Sequence, residues 1–272
     1  MKKILNYTFF LFFSIAFSQN KVTISQALNI ASKQSMLCER LAKEKIFKVT
    51  NPNNLNTEQK LGVSLIQFEQ NIALLKETEL SENITTNIVT LEMLWIGYRK
   101  NILNNDKSSS IKIMEFNNVM LYHCNNLFES LLNFSKKNKS YPYNTSIKEL
   151  PNAYKASNNL KYLSQKVSLY YNAYYSKIIP YDPLKLTQIT QEIDNSITTI
   201  LKSKKISNSL NKKIENVNLE WDSLKVSIKK ATDDKFTNVL KYPKPEYVLA
   251  QTTKLLKDDD LLIRLYKETS EN

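Results

Sequence analysis

Apolar residues recur every three or four positions along most of the chain, which is the spacing of one face of an α-helix. Short polar stretches divide this pattern into eight segments. They predict helices over residues 23–49, 57–78, 81–103, 109–136, 152–179, 183–204, 207–231 and 245–269. The seven prolines lie where the periodicity breaks, so they separate helices and do not interrupt them. The pattern therefore predicts an all-α protein.

The first segment separates into two unlike faces when it is placed on a helix. Mostly small side chains form one face: Ala27, Leu28, Ala31, Ser35, Cys38, Ala42 and Ile46. The opposite face carries Asn29, Lys33, Met36, Arg40 and Phe47. A methionine, an arginine and a phenylalanine together on the outer side of a helix indicate a ligand or partner face. The alternative is a solvated face with two incidental apolar residues.

The same segment resembles the first helix of PilJ-type domains, the N-terminal domains of type IV pilus chemotaxis transducers. These domains are related to the sensor domains of NarX-type nitrate/nitrite kinases. The family helix reads approximately N-x-A-G-x-Q-R-M-L-S-Q-R-x-A-K. The matching positions are Asn29, Ala31, Gln34, Met36, Leu37, Arg40, Ala42 and Lys43, and the differing ones are Ser32, Ser35, Cys38 and Glu39. The resemblance implies a four-helix bundle with a sensor function.

The pattern of the first half of the chain returns in the second half. Residues 162–168 correspond to residues 36–42 at an offset of 126 positions, and the Ser-Gln of the family motif is restored there. Trp95 and Trp221 are separated by the same offset. Two distant anchors with one offset predict a duplicated unit. We therefore expect two consecutive antiparallel four-helix bundles, over residues 22–137 and 147–270.

The first eighteen residues have the features of a secretory signal peptide. Lys2 and Lys3 precede an apolar run over residues 4–17, and Ala16-Phe17-Ser18 forms a small-x-small cleavage site. The run is shorter than the ~20 residues of a membrane-spanning helix. Residues 1–18 therefore predict export to the periplasm or the medium, with cleavage near Ser18, and the processed chain is not expected to be an integral membrane protein. The alternative is an uncleaved N-terminal anchor.

Composition and charge narrow the classes of partner. The formal net charge is +12, with 38 basic against 26 acidic residues. Export argues against a nucleic-acid partner, so small oxyanions, lipid headgroups and polysaccharide are the anionic partners to consider. Charge that serves only solubility is the alternative. Gly62 and Gly97 are the only glycines, which excludes a glycine-rich phosphate loop.

The sequence offers few residues for catalysis or metal binding. His123 is the only histidine, and no cluster of His, Cys and acidic residues has ligand spacing. We therefore expect no enzyme activity, no metal and no cofactor. Cys38 and Cys124 lie near the middle of helices that are antiparallel neighbours in a four-helix bundle. Export to an oxidising compartment then predicts a disulfide between them, and two buried free thiols are the alternative.

The resemblance also suggests where a ligand would bind. It implies that NarX-type sensors hold nitrate with the arginine before the motif methionine, at a symmetric subunit interface. Ser35 takes this place here and Lys161 takes it in the second half, so we expect nitrate binding to be weak or absent. The candidate anion ligands are the polar residues around the two motifs: Lys33, Gln34, Arg40, Lys161, Gln165 and Lys166.

Two functions remain open. The first is an exported, sensor-like helical bundle that binds a small anion and has no transmitter or catalytic domain of its own. The second is a non-enzymatic interaction or scaffold protein that binds another protein, an envelope component or a second copy of itself. Basic residues that project inward or into a dimer seam favour the first function. Basic residues spread over the surface, with Met36 and Phe47 in a contact patch, favour the second.

Overall fold

The fold is described by a computed structural model, which covers residues 22–78, 80–140, 142–144, 148–202 and 208–254. Within these ranges the regular secondary structure is helical and contains no strand, so the all-α prediction is confirmed. None of the helices in the described ranges is long and apolar enough to cross a bilayer. The predicted signal peptide, residues 1–18, lies outside the described residues.

The helices follow the predicted segments closely. Their bounds are α1 Ile24–Thr50, α2 Leu55–Lys76, α3 Glu82–Leu103, α4 Lys107–Lys137, α5 Leu150–Tyr175, α6 Pro183–Leu201 and α7 Asn208–Asp233. A short 3-10 turn, Val239–Lys241, precedes α8, which begins at residue 245 and is described as far as residue 254. The remainder of the eighth predicted helix lies outside the described residues.

Polar N-caps explain where several helices begin. Thr23 and Gln26 form a reciprocal capping box at the start of α1. The side chains of Asn54, Asp106 and Asp182 accept from free backbone N–H groups at the starts of α2, α4 and α6. The caps place each helix start within two residues of its predicted position.

Helix α1 is the central element of the fold. It packs against α2, α4 and α5, and its residues are buried on nearly every side. Helices α1 to α4 close a ring in which each helix contacts the next and α4 returns to α1. Helix α5 packs on α1 and then on α6, and α6 packs on α7. One apolar core continues from the first four helices into the second half of the chain.

The two tryptophans occupy closely similar settings. In the first half, Trp95 Nε1 donates to Glu69 Oε1 at 3.2 Å, and the same oxygen accepts from Arg99 Nε at 2.7 Å. In the second half, Trp221 Nε1 donates to Asp194 Oδ1 at 2.6 Å, and Lys225 Nζ donates to that oxygen at 2.9 Å. Each indole is therefore tied to a carboxylate of the preceding helix, and a cation one turn after the indole binds the same carboxylate. Both indoles are buried.

Three helices end in a conformation that usually requires glycine. Lys139, Lys177 and Lys235 have φ values of 48°, 52° and 50°, in the left-handed region. The backbone N–H groups at these positions and the next ones bond back into the last turns of α4, α5 and α7, which is the Schellman arrangement. This stop ends α5 at Tyr175, earlier than the apolar pattern predicted. A residue with a Cβ is strained at such a position.

We expect Trp95→Ala and Trp221→Ala each to lower the free energy of unfolding by about 3–5 kcal/mol, because each removes a buried indole. Urea unfolding followed by circular dichroism measures the change. Tyr122→Ala serves as the control, since Tyr122 is 61% exposed and its removal should cost below about 0.5 kcal/mol. A loss at only one tryptophan would contradict the structural equivalence of the two sites.

We expect Lys139→Gly and Lys177→Gly each to raise the free energy of unfolding by about 0.5–1 kcal/mol, because glycine relieves the left-handed strain at a moderate entropic cost. Lys136→Gly is the matched control. Lys136 lies within the last turn of α4, where glycine should instead destabilise by about 1 kcal/mol. Thermal unfolding of the three variants distinguishes the two signs.

Candidate functional site

A cavity lies where α1 meets α2, α5 and α8. It encloses about 250 Å³. Helix α1 supplies half of its lining, and the other three helices complete the walls. The lining residues are Lys33, Met36, Arg40, Lys43, Glu44, Phe47, Thr57, Lys60, Lys161, Gln165, Leu249 and Thr253. Clefts enclosed by several elements, with a few convergent polar groups, are the usual form of small-molecule sites.

The cavity is lined by five basic residues and one acidic residue. Two of the basic residues, Lys43 and Lys161, are only 4% exposed. The one acid, Glu44, is already bound, because its carboxylate accepts from Arg40 Nε at 2.9 Å and from Ser64 Oγ at 2.8 Å. The local charge is therefore strongly positive, and an anion would be attracted into the cavity.

Lys43 is the most perturbed cation of the cavity. Its Nζ donates to Gln165 Oε1, which joins α1 to α5. Burial, against the favourable charge of Glu44 and together with the positive charges of Arg40 and Lys60, lowers the pKa of Lys43 to about 7. A bound anion would oppose this shift, because a negative charge nearby favours the protonated amine.

Gln165 has an unused hydrogen-bond donor at the same place. The residue is fully buried, and its Oε1 is the atom that accepts from Lys43. Among the described residues, no group accepts from its Nε2. A buried amide nitrogen without an acceptor is costly, and such groups in native proteins usually have a partner. Gln165 lines the cavity, but its Nε2 has no accessible surface there, so a ligand oxygen would reach this nitrogen only after a side-chain shift.

The structure brings four of the six predicted ligand residues together. Lys33, Arg40, Lys161 and Gln165 all line the cavity, although they come from two distant segments of the chain. The other two predicted residues, Gln34 and Lys166, do not line the cavity. The basic residues Lys43 and Lys161 project inward, and Met36 and Phe47 line the same space. The inward projection of these two lysines is the feature that the sequence analysis associated with ligand binding, whereas it associated a shared patch of Met36 and Phe47 with an interaction protein.

Gln34 and Lys166 have structural partners outside the cavity. Gln34 is buried against α2, where its Nε2 donates to the Phe68 carbonyl at 3.2 Å and its Oε1 accepts from Asn71 at 3.0 Å. Lys166 lies 3.6 Å from Glu39 Oε1, so it compensates a buried carboxylate. Helical rotation turns both side chains away from the cavity, and the motif match alone did not distinguish them from the residues inside it.

Sequence reasoning missed several lining residues. Lys43 matched the family motif but was not assigned to the site. Lys60, Leu249 and Thr253 lie on α2 and α8, and no local pattern links those helices to the face of α1 that they cover. The unusual combination of Met36 and Phe47 was the available signal, and it indicated a covered face without identifying what covers it.

The two cysteines are buried free thiols in this structure. Cys38 Sγ donates to Asn117 Oδ1 at 3.2 Å, and burial together with the neighbouring Cys124 raises the pKa of the Cys38 thiol. The structure thus contains the alternative to the predicted bond, and the disulfide stays a prediction. Tyr98 Oη donates to the same Asn117 oxygen at 2.6 Å, so the thiol belongs to a buried polar cluster.

Glu39 completes this cluster on the side of α5. Its Oε2 accepts from Asn117 Nδ2 at 2.9 Å, and burial raises the pKa of its carboxyl group while Lys166 lowers it. His123 is partly buried and packs edge-on against Tyr122. Within the described ranges, no group of three His, Cys, Asp or Glu residues is placed to hold a metal ion.

The chain was compared with known families, curated proteins and solved structures. No family model, no curated protein and no solved structure matches it. The resemblance to PilJ-type domains therefore depends on the motif residues and the internal offset alone.

We expect the effect of Lys43→Met on stability to depend on pH. Lys43 has a pKa of about 7 in the native state and its ordinary value of 10.5 in the unfolded chain, so between these values the unfolded state binds more protons. The stability of the wild type should therefore rise with pH through this window relative to the variant. From pH 6 to pH 9 the difference should change by about 2–3 kcal/mol.

Urea unfolding of both proteins at the two pH values measures this change. Lys100→Met, on the exposed side of α3, is the control and should show no such trend. Because only the pH-dependent part is compared, any constant cost of losing the bond to Gln165 cancels. A pH-independent difference for Lys43→Met would contradict the depressed pKa.

Proposed function

We propose that this protein is an exported, sensor-like helical bundle that binds a small anion in the cavity between α1, α2, α5 and α8. One observation carries the proposal. Five basic residues line the cavity, and its only carboxylate, that of Glu44, is already bound. An oxyanion supplies the negative charge that these cations attract.

The internal duplication supports this assignment. We infer two antiparallel four-helix units, because the two tryptophan settings agree in partner type and chain position and because α1 and α5 carry the two copies of the motif. The resemblance implies a ligand between two first helices that belong to different subunits. Here α1 and α5 pack together within one chain, and the cavity lies at their contact. The single chain would thus supply both halves of the site.

Export and a non-catalytic role complete the proposal. The signal peptide predicted over residues 1–18 would bring the protein to the periplasm or the medium, where small anions are accessible to it. We infer that the protein acts on a partner when the anion binds. The lining residues include no histidine, cysteine or free carboxylate, and the lining cations suit the binding of an anion.

A protein-interaction function remains as the second candidate, and one observation favours it. Val89, Met93 and Ile96 form an apolar stripe along the outer face of α3 and are 42%, 61% and 71% exposed. A row of exposed apolar residues on one helix face is typical of a contact with another protein. This stripe lies on a different helix from the anion cavity, so the two functions can be tested separately.

We expect small oxyanions to bind with an affinity that depends on the cavity cations. Isothermal titration of the purified protein with acetate, phosphate and nitrate, at constant ionic strength, measures this binding. Lys161→Met and Lys33→Met should each weaken binding of the best anion about tenfold or more. Binding should also weaken from pH 6 to pH 8.5, because Lys43 loses its proton near pH 7.

Lys100→Met is the matched control, since it removes the same charge from an exposed position on α3. It should leave the affinity unchanged. Lys33 is exposed, so Lys33→Met tests the site even if Lys161→Met folds poorly. Equal weakening by the Lys33 and Lys100 substitutions would indicate unspecific attraction by the net charge. The absence of binding by every anion tested would contradict the proposed function.

A further inference from the structure

The geometry points to a specific class of ligand: a carboxylate that carries an apolar chain or ring, bound with its charged end at Lys43 and Lys161 and its apolar end against Met36 and Leu249. This inference rests on the proposed function, because it presupposes an anion in the same cavity. It adds a second requirement for binding, which the cationic lining alone does not impose.

The apolar part of the lining carries the inference. Met36 and Phe47 lie on α1 and Leu249 lies on α8, so the apolar side chains come from two different helices. Phe47 is only 2% exposed, although the sequence places it on the outer face of α1. Protein atoms therefore already cover Phe47, but Met36 and Leu249 are partly exposed, and a ligand made only of oxygen atoms would leave these two side chains facing water. An apolar chain or ring would cover them, and burial of apolar surface is favourable in proportion to its area.

The polar part of the lining selects the charged end. The buried groups Lys43, Lys161 and Gln165 converge from α1 and α5, whereas Lys33 and Lys60 are exposed. The two oxygens of a carboxylate can accept from two of these cations at once. Glu44 is held by Arg40 and Ser64, so it does not compete for the same donors.

The size of the cavity limits the ligand. At about 250 Å³ the space lies below the range of drug-sized pockets, which are about 300–1,000 Å³. A short aliphatic or a single-ring carboxylate fits this volume, whereas a long lipid does not. The three probes hexanoate, acetate and 1-hexanol separate the two requirements, because acetate lacks the chain and 1-hexanol lacks the charge.

We expect hexanoate to bind about tenfold or more tighter than acetate, and 1-hexanol to bind at least about tenfold more weakly than hexanoate. Titration calorimetry of the purified protein measures all three. Met36→Gln keeps the length of the side chain but makes it polar, so it should remove most of the preference for hexanoate while acetate binding is retained. Met93→Gln, on the exposed face of α3, is the matched control and should change nothing.

The outcomes separate this inference from the proposed function. Equal affinities for acetate and hexanoate would overturn the apolar requirement and leave anion binding intact. Hexanol that binds as well as hexanoate would overturn the carboxylate requirement. If none of the three binds, both statements fail unless nitrate or phosphate binds, in which case only the carboxylate inference fails. Leu249→Asn, on α8, repeats the test should Met36→Gln fold poorly.

Discussion

The burial of charged residues on α1 is the constraint on which the rest of the structure depends. Four ionisable side chains of this helix, Glu39, Lys43, Glu44 and Lys45, are almost completely inaccessible. A buried charge is costly unless it is paired and hydrogen-bonded, so each of these groups requires a partner at the right height. Elements on several sides of α1 supply the partners, and the helix cannot slide or rotate without losing them.

Each of these charges is matched by a different part of the fold. Glu39 bonds to α4 and lies near Lys166 of α5, while Lys43 bonds to α5. Glu44 accepts from Ser64 of α2. Lys45 donates to the carbonyl of Asn104 at the end of α3, and burial lowers its pKa to about 8. We infer that these pairs specify which neighbour packs on which side of α1, since the apolar contacts alone would accept several arrangements.

The sequence was sufficient for the elements and for part of the site. Apolar periodicity and prolines located the helices because both are local signals, which depend only on residues a few positions apart in the sequence. The positions of Lys33 and Arg40 on one face of α1 also follow from helical spacing alone. What covers that face did not follow, because Leu249 and Thr253 reach it through tertiary packing across most of the chain. The lysines in left-handed conformations were equally invisible, since glycine is the residue that marks such positions.

The motif identified the segments of α1 and α5 that line the cavity, but it did not show which of their side chains point into the cavity. Gln34 and Lys166 belong to it as much as Arg40 and Gln165 do, but their side chains stabilise the packing of α1 on α2 and α5. A motif on a helix that is buried on all sides contains both kinds of residue, and only the positions of the surrounding helices separate them.

The composition of the cavity has a consequence for the order of folding. Its walls join Lys33 on α1 to Thr253 on α8, so they bring together residues that are far apart in the sequence. Neighbouring helices such as α5 and α6 can pair through short loops, whereas the α8 wall requires closure of nearly the whole chain. A ligand in this cavity therefore stabilises only those molecules in which α8 has packed against α1. Its binding free energy is added to the free energy of that packing step.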